Sequence, residues 1–257
     1  MGIQIQTLYT PLLALLLPFF RILALLHFAP VLDSHAFSRR SRVALALMLS
    51  IIITPMLHKQ VMLSELLSMR TVLLVGEQLL WGMLFGLILR LVFTALQTAG
   101  QILAMNMGLG MATMNDPVNG VNTPVISEII TIFATLLFFI MNGHLLLVTV
   151  LYKSFTYWPI GEALNRPTLT LLVESFGWII STATLIALPT TFVMMIVQGG
   201  FGLLNRISPS LNLFSLGFPI SMLFGLLCVS MMMTNIPDHY LNLTNEILAK
   251  LDAVRNY

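Results

Sequence analysis

Residues 71–104 read TVLLVGEQLLWGMLFGLILRLVFTALQTAGQILA, an apolar run whose charged members are Glu77 and Arg90. As one α-helix it measures about 51 Å at 1.5 Å per residue, against a bilayer hydrocarbon core of about 30 Å. Such a helix must tilt, break or extend beyond lipid. Working outward, five further apolar runs cover 8–32, 42–57, 125–152, 168–204 and 213–236, so six membrane-crossing candidates are expected. Pro189 lies midway along 168–204 and removes a backbone donor, which predicts a kink, two half-helices or a hairpin there.

The composition agrees with these runs. Of 257 residues, 58% are hydrophobic and 9% charged, where a soluble domain carries roughly 25% charge. A water-soluble fold of this size could not hide so much apolar surface. With 12 Lys and Arg against 10 Asp and Glu and no basic tract, nothing tracks a nucleic-acid backbone. Cys228 is alone, so no internal disulfide and no thiolate cluster can form. The first basic residue, Arg21, falls inside the opening apolar run, unlike the charged start of a cleavable signal peptide, so that run is expected to stay in the mature protein. No repeat or linker divides the chain, and one domain over 1–257 is expected. Its polar tail, 237–257, places Ile247, Leu248, Leu251 and Val254 at helical spacing among Glu246, Lys250, Asp252 and Arg255, which predicts a short amphipathic helix. The basic cluster Arg39, Arg40 and Arg42 favours the cytoplasmic side for the loop that holds it.

Catalytic constellations are missing. The five histidines are scattered with no HExxH pair, and neither a GxSxG turn nor a GxxxxGK[ST] phosphate loop occurs. No cofactor or metal is expected, and the chain reads as a non-enzyme. Arg21, Glu77, Arg90, Glu128, Glu174 and Arg206 lie in or beside apolar runs, where a charge must be paired or wet. They suit structural pairing between helices or subunits, with Arg90, Glu128 and Arg206 as candidates, or alternatively a relay in an ion-coupled secondary transporter of small solutes. Gly82 and Gly86 form a small-xxx-small step that lets another backbone approach, and Gly199, Gly200 and Gly202 permit a tight crossing or a turn.

One stretch, 105–124, breaks the apolar pattern: MNMGLGMATMNDPVNGVNTP. Gly108, Gly110, Pro117, Gly120 and Pro124 oppose a continuous helix, so it reads as a loop. Irregular backbone cannot face lipid, which places the loop outside the membrane, packed in protein, or lining a cavity. Its methionines, Met105, Met107, Met111 and Met114, are flexible and suit either a deformable seal or plain local packing. In the first reading Met111 and Met114 fill a pore, Gly108 and Gly110 give backbone freedom, and Asp116-Pro117 anchors the turn.

On these and several further blocks the chain resembles the FliR/SctT family, membrane components of the flagellar and virulence type III export gates. The blocks are Arg21 to Ala29-Pro30, the run from Gly76-Glu77 through Gly82, Gly86, Phe93 and Ala99-Gly100, and Met107-Gly108-Leu109 with Asp116-Pro117. Later come Leu136 to Phe139 with Asn142-Gly143-His144, Pro159-Ile160-Gly161, Ala187-Leu188-Pro189, Gly202 to Arg206 with Pro209, and Gly217-Phe218-Pro219.

The resemblance implies an all-α fold of membrane-associated helical hairpins packed in a helical hetero-oligomeric export gate. It implies one copy of this subunit closing a ring of FliP-like and FliQ-like subunits, with FlhB-like switch and FlhA-like export subunits nearby, in the bacterial inner membrane at the flagellar basal body. Unfolded flagellar proteins would pass through it. The cone-shaped family assembly lies largely above the bilayer plane, which argues against six simple crossings. The family's plug matches 106–122 here, above a methionine gasket from neighbouring subunits. Bulky and often aromatic side chains stand in the family where this chain has Met111 and Met114.

Overall fold

The computed structural model describes residues 2–32, 37–57, 69–110, 113–115, 122–161, 166–207 and 213–254. In chain order the elements are α1 (Gly2–Phe28), α2 (Arg39–Ile53), a 3₁₀ turn (Thr54–Met56), α3 (Met69–Asn106), β1 (Thr113–Asn115), β2 (Asn122–Pro124), α4 (Val125–Ile140), α5 (Gly143–Tyr157), α6 (Arg166–Ile207), α7 (Leu213–Met233) and α8 (Ile236–Val254). The fold is all-α apart from the β1–β2 ribbon. Among the described residues, two helices, α3 and the Val173–Ile207 part of α6, are long and apolar enough to cross a membrane, or four spans if α4 with α5 and α7 with α8 each count as one broken span.

By contact the chain divides into two compact units. The first comprises Met1–Arg90, Asn142–Val173 and Leu248–Tyr257. Here α1 and α3 lie against each other because Gly82 and Gly86 face α1: a Cβ at 82 would overlap the carbonyl oxygen of Arg21, and one at 86 would come within 2.8 Å of the Leu25 oxygen. Small residues four apart thus bring two backbones together inside one chain. Trp81, fully buried, lies 5.3 Å from Trp158 and 6.0 Å from Phe85 between ring centroids. Ser38 caps α2 by accepting from the Ser41 amide at 3.1 Å. Only Ala46, Ser50 and Ile53 of α2 are buried, a narrow stripe at i, i+4, i+7.

The second unit comprises Leu91–Met141 and Glu174–Ile247. Gly100 of α3 leaves room for α4, since a Cβ there would come within 2.6 Å of the Ser127 Cα, and the Ser127 hydroxyl donates to the Gln97 carbonyl at 2.8 Å. Phe93 sets its edge against Phe138 and Tyr240. In α8, Ile236, Tyr240, Leu243 and Ile247 are buried at helical spacing, so the amphipathic tail packs its apolar face on protein.

The structure corrects three sequence expectations. Pro189 neither splits nor turns the chain: α6 runs unbroken over 42 residues. The missing donor is outweighed by a continuous buried stripe, Ala183, Ile186, Ala187, Thr190 and Met194, and proline is tolerated in apolar helices. The run 125–152 is not one continuous helix, because Asn142 takes a left-handed φ of 56° and ends the helical register after Met141, so a crossing there is a broken one made of α4 and α5. The stretch 105–124 is not wholly a loop, since α3 continues through Asn106 and Thr113–Asn115 pairs antiparallel with Asn122–Pro124.

Candidate functional site

The 105–124 stretch is held at its base by the end of α3. The Leu109 amide donates to the Ala104 carbonyl at 2.8 Å and the Gly108 amide to the Met105 carbonyl at 3.0 Å. With Gly108 at φ 75°, these bonds make a Schellman cap, in which a left-handed residue lets two amides turn back onto the last carbonyls of the helix. The unusual φ of Gly108 therefore terminates α3. A Cβ there would also press on the Phe218 ring, 3.1 Å from Cε2.

Side chains from α6 and α7 fix this terminus. Gln198 donates through Nε2 to the Asn106 carbonyl at 2.7 Å, and Asn106 donates through Nδ2 to Thr191 Oγ1, also at 2.7 Å. The Asn106 carbonyl is one of the helix-end acceptors that α3 cannot satisfy internally. Met107 is 1% exposed and lies against Gly225, where a Cβ would overlap its side chain. Beneath Gly108 a cavity of about 310 Å³ is lined in part by Gln198, Asn205, Phe218 and Ser221. The other end of the stretch is also held: Thr123 donates to Glu128 Oε2 at 3.1 Å, which puts a carboxylate at the start of α4 where the helix dipole favours it.

The predicted loop residues separate accordingly. Met107 and Gly108 are fixed at the base. Met105 is 72% exposed on the last turn of α3, and a Cβ on Gly110 would meet the Met105 Cγ at 3.3 Å. Met114 has its backbone in β1, while Met111, Asp116 and Pro117 lie outside the described residues. Sequence reasoning missed Asn106, Thr191 and Gln198. The available signals were an Asn two residues before a Gly at a helix end and a Gln inside an apolar run.

The charged residues also find definite surroundings. Arg21, fully buried, donates from Nε to Gln78 Oε1 at 2.8 Å and from Nη1 to the carbonyls of Ser154 and Trp158, each at 2.9 Å. Its guanidinium carbon sits 4.6 Å from the Phe155 ring centroid. Those carbonyls end α5, so a cation from α1 caps the negative end of another helix. Arg90 and Arg206 are exposed. Among the described residues no three or more His, Cys, Asp or Glu are placed to hold a metal ion. Gly199, Gly200 and Gly202 have nothing within 4 Å of a Cβ and lie on an exposed face of α6.

The family described as bacterial export proteins, family 1, matches residues 12–247. The chain is 33% identical over 231 residues to the flagellar biosynthetic protein FliR of Escherichia coli (strain K12), covering 90% of this chain and 88% of the relative. It is 32% identical over the same length and shares to FliR of Pectobacterium carotovorum subsp. carotovorum. It is also similar, at 29% identity over 168 residues, to the Yop proteins translocation protein T of Yersinia pestis, covering 62% of this chain and 64% of the relative.

Proposed function

The chain belongs to the bacterial export proteins of family 1 and is a membrane-located subunit of a type III protein export apparatus, and from this we propose that its 105–124 segment plugs the export conduit at rest. The observation that carries the reading is the anchorage of an irregular, methionine-bearing segment between two apolar helices: the Schellman cap, Gln198 and Met107 hold one end, Thr123 and Glu128 the other. A segment held at both ends, with methionine in the sequence between them, can yield to a passing chain and return. Met111 and Met114 supply the bulk. The clamps keep the segment over one place.

The flagellar system is favoured over the virulence one because the flagellar relatives match 90% of the chain and the Yop relative 62%. The site is then the inner membrane at the flagellar basal body, with FliP-like, FliQ-like, FlhB-like and FlhA-like subunits as neighbours and unfolded flagellar proteins as cargo. The whole chain acts as one non-catalytic gate unit. The exposed apolar face of α6, whose membrane-length window is 33% buried within the chain, supplies the surface for such neighbours.

A photoreactive residue at position 114, in cells whose export is arrested with a stalled substrate, should cross-link to that substrate. Adducts confined to gate subunits while substrate occupies the apparatus would reject the conduit reading. Arg206 tests the assembly. It is exposed near the end of α6, and if a neighbour's carboxylate covers it, Arg206→Ala strands that acid at a cost of about 3–5 kcal/mol when burial is complete. Recovery of the co-expressed gate should fall before export per assembled gate does. Normal recovery with lost export would place Arg206 in transport instead.

A further inference from the structure

On α6 the residues Gln198, Phe201, Gly202 and Asn205 stand at i, i+3, i+4 and i+7, the spacing that puts side chains on one face of a helix. That face is one wall of the cavity of about 310 Å³ beneath Gly108, and Phe218 and Ser221 of α7 belong to the facing wall. Each wall also contributes a glycine, Gly202 and Gly217, where a Cβ would meet nothing within 4 Å. The space between the helices is therefore left open by side chains that are not there. Gln198, Gly202 and Asn205 are exposed at the mouth, while Ser221 is buried.

Among the described residues the lining combines two primary amides and a hydroxyl with two aromatic rings and Met107, and it holds no charged side chain. A primary amide both donates and accepts, as a peptide group does. The Gln198 amide already holds one main-chain carbonyl, that of Asn106 at 2.7 Å, and a single bond uses one of its two donor hydrogens. Seven residues of helix separate the two amides by about 10 Å along α6. That distance matches about three residues of extended chain. The volume lies at the small end of ligand sites, about 300–1,000 Å³, which suits a short stretch of polypeptide.

We propose that this cavity is a subsite for the exported polypeptide, taking a short extended stretch whose backbone pairs with Gln198 and Asn205 and whose side chains lie on Phe201, Phe218 and Met107. The proposal rests on the conduit reading above and adds a place where cargo is held. An uncharged site built on amides reads the backbone that every cargo shares, and the flexible thioether of Met107 adapts to differing side chains. A lipid tail would cover both amides and the Ser221 hydroxyl without pairing them. An ion would meet no opposite charge. Gln198 and Phe218 also steady the base of the 105–124 segment, so a chain seated here bears on the same two side chains that hold that segment.

The test places a photoreactive phenylalanine analogue at position 201 of the full chain, in cells whose export is arrested with substrates that stall at different points of their sequence. Each stalled substrate should give adducts at 201. Asn205→Leu should lower their yield per assembled gate at least severalfold, and because Asn205 is exposed its loss opens no core. Gly217→Leu should lower the yield too, by filling the cavity from α7 while leaving both amides in place. If the Gly217→Leu gate is not recovered, Asn205→Leu decides alone. Adducts at 201 to a gate subunit in place of substrate overturn the proposal, since they seat a protein neighbour in the cavity. A yield that Asn205→Leu leaves unchanged also overturns it. Position 114 separates the two readings: substrate adducts at 114 without any at 201 reject the subsite and keep the conduit, whereas adducts at neither position reject both.

Discussion

Arg21→Ala is expected to abolish recovery of folded protein more completely than any other single substitution among the described residues. The change removes three hydrogen bonds at once, to Gln78 and to the carbonyls of Ser154 and Trp158. Each buried polar group left without its partner costs about 1–3 kcal/mol, and loss of the stacked guanidinium over Phe155 adds about 0.5–2 kcal/mol. Because Ser154 also accepts from the Trp158 amide at 3.2 Å, its carbonyl is not wholly stranded, and the other two groups with the lost ring contact bring the total to about 2.5–8 kcal/mol. Set against typical stabilities of about 5–15 kcal/mol, that is a large share. Arg21→Lys should rescue little, since one ammonium cannot span the fork's three acceptors. Arg21→Met should be milder, as an apolar stem of similar length restores packing. Protease resistance and monodispersity of the co-expressed complex in detergent measure the order. Full recovery of Arg21→Ala would show that the α1–α3–α5 junction is held by apolar contacts alone.

Much of this architecture is legible in the sequence because its determinants are local. The run 71–104 is continuous in hydrophobicity and becomes one helix, Met69–Asn106. The tail's apolar spacing becomes the buried stripe Leu243, Ile247 and Leu251 of α8. Gly108 breaks the helix where a glycine past a helix end usually does. Other features depend on residues far away along the chain. Arg21 looked like half of an ion pair, yet two of its three acceptors are backbone carbonyls 133 and 137 residues distant, and carbonyls leave no mark in sequence. Pro189 looked like a break because local propensity says so, while tertiary burial decides otherwise. The β1–β2 ribbon was hidden because Asn, Thr and Pro show no alternation of apolar and polar residues. Gln198 gave no hint that its amide reaches Asn106, 92 residues away.

The second large effect concerns the seal. With its base held by Gln198, Thr191 and Phe218, the 105–124 segment should keep its position when its tip is trimmed. Met111→Gly with Met114→Gly should therefore leave assembly intact and remove the soft bulk. A conduit wide enough for an unfolded chain would then pass ions between substrates and discharge the proton gradient. The direct measurement is resting ion conductance across membranes holding the assembled gate, comparing wild type with the double variant at equal complex content. The plug account predicts a severalfold rise in the variant. Unchanged conductance in a correctly assembled complex would contradict it, and loss of assembly would assign Met111 and Met114 to packing instead.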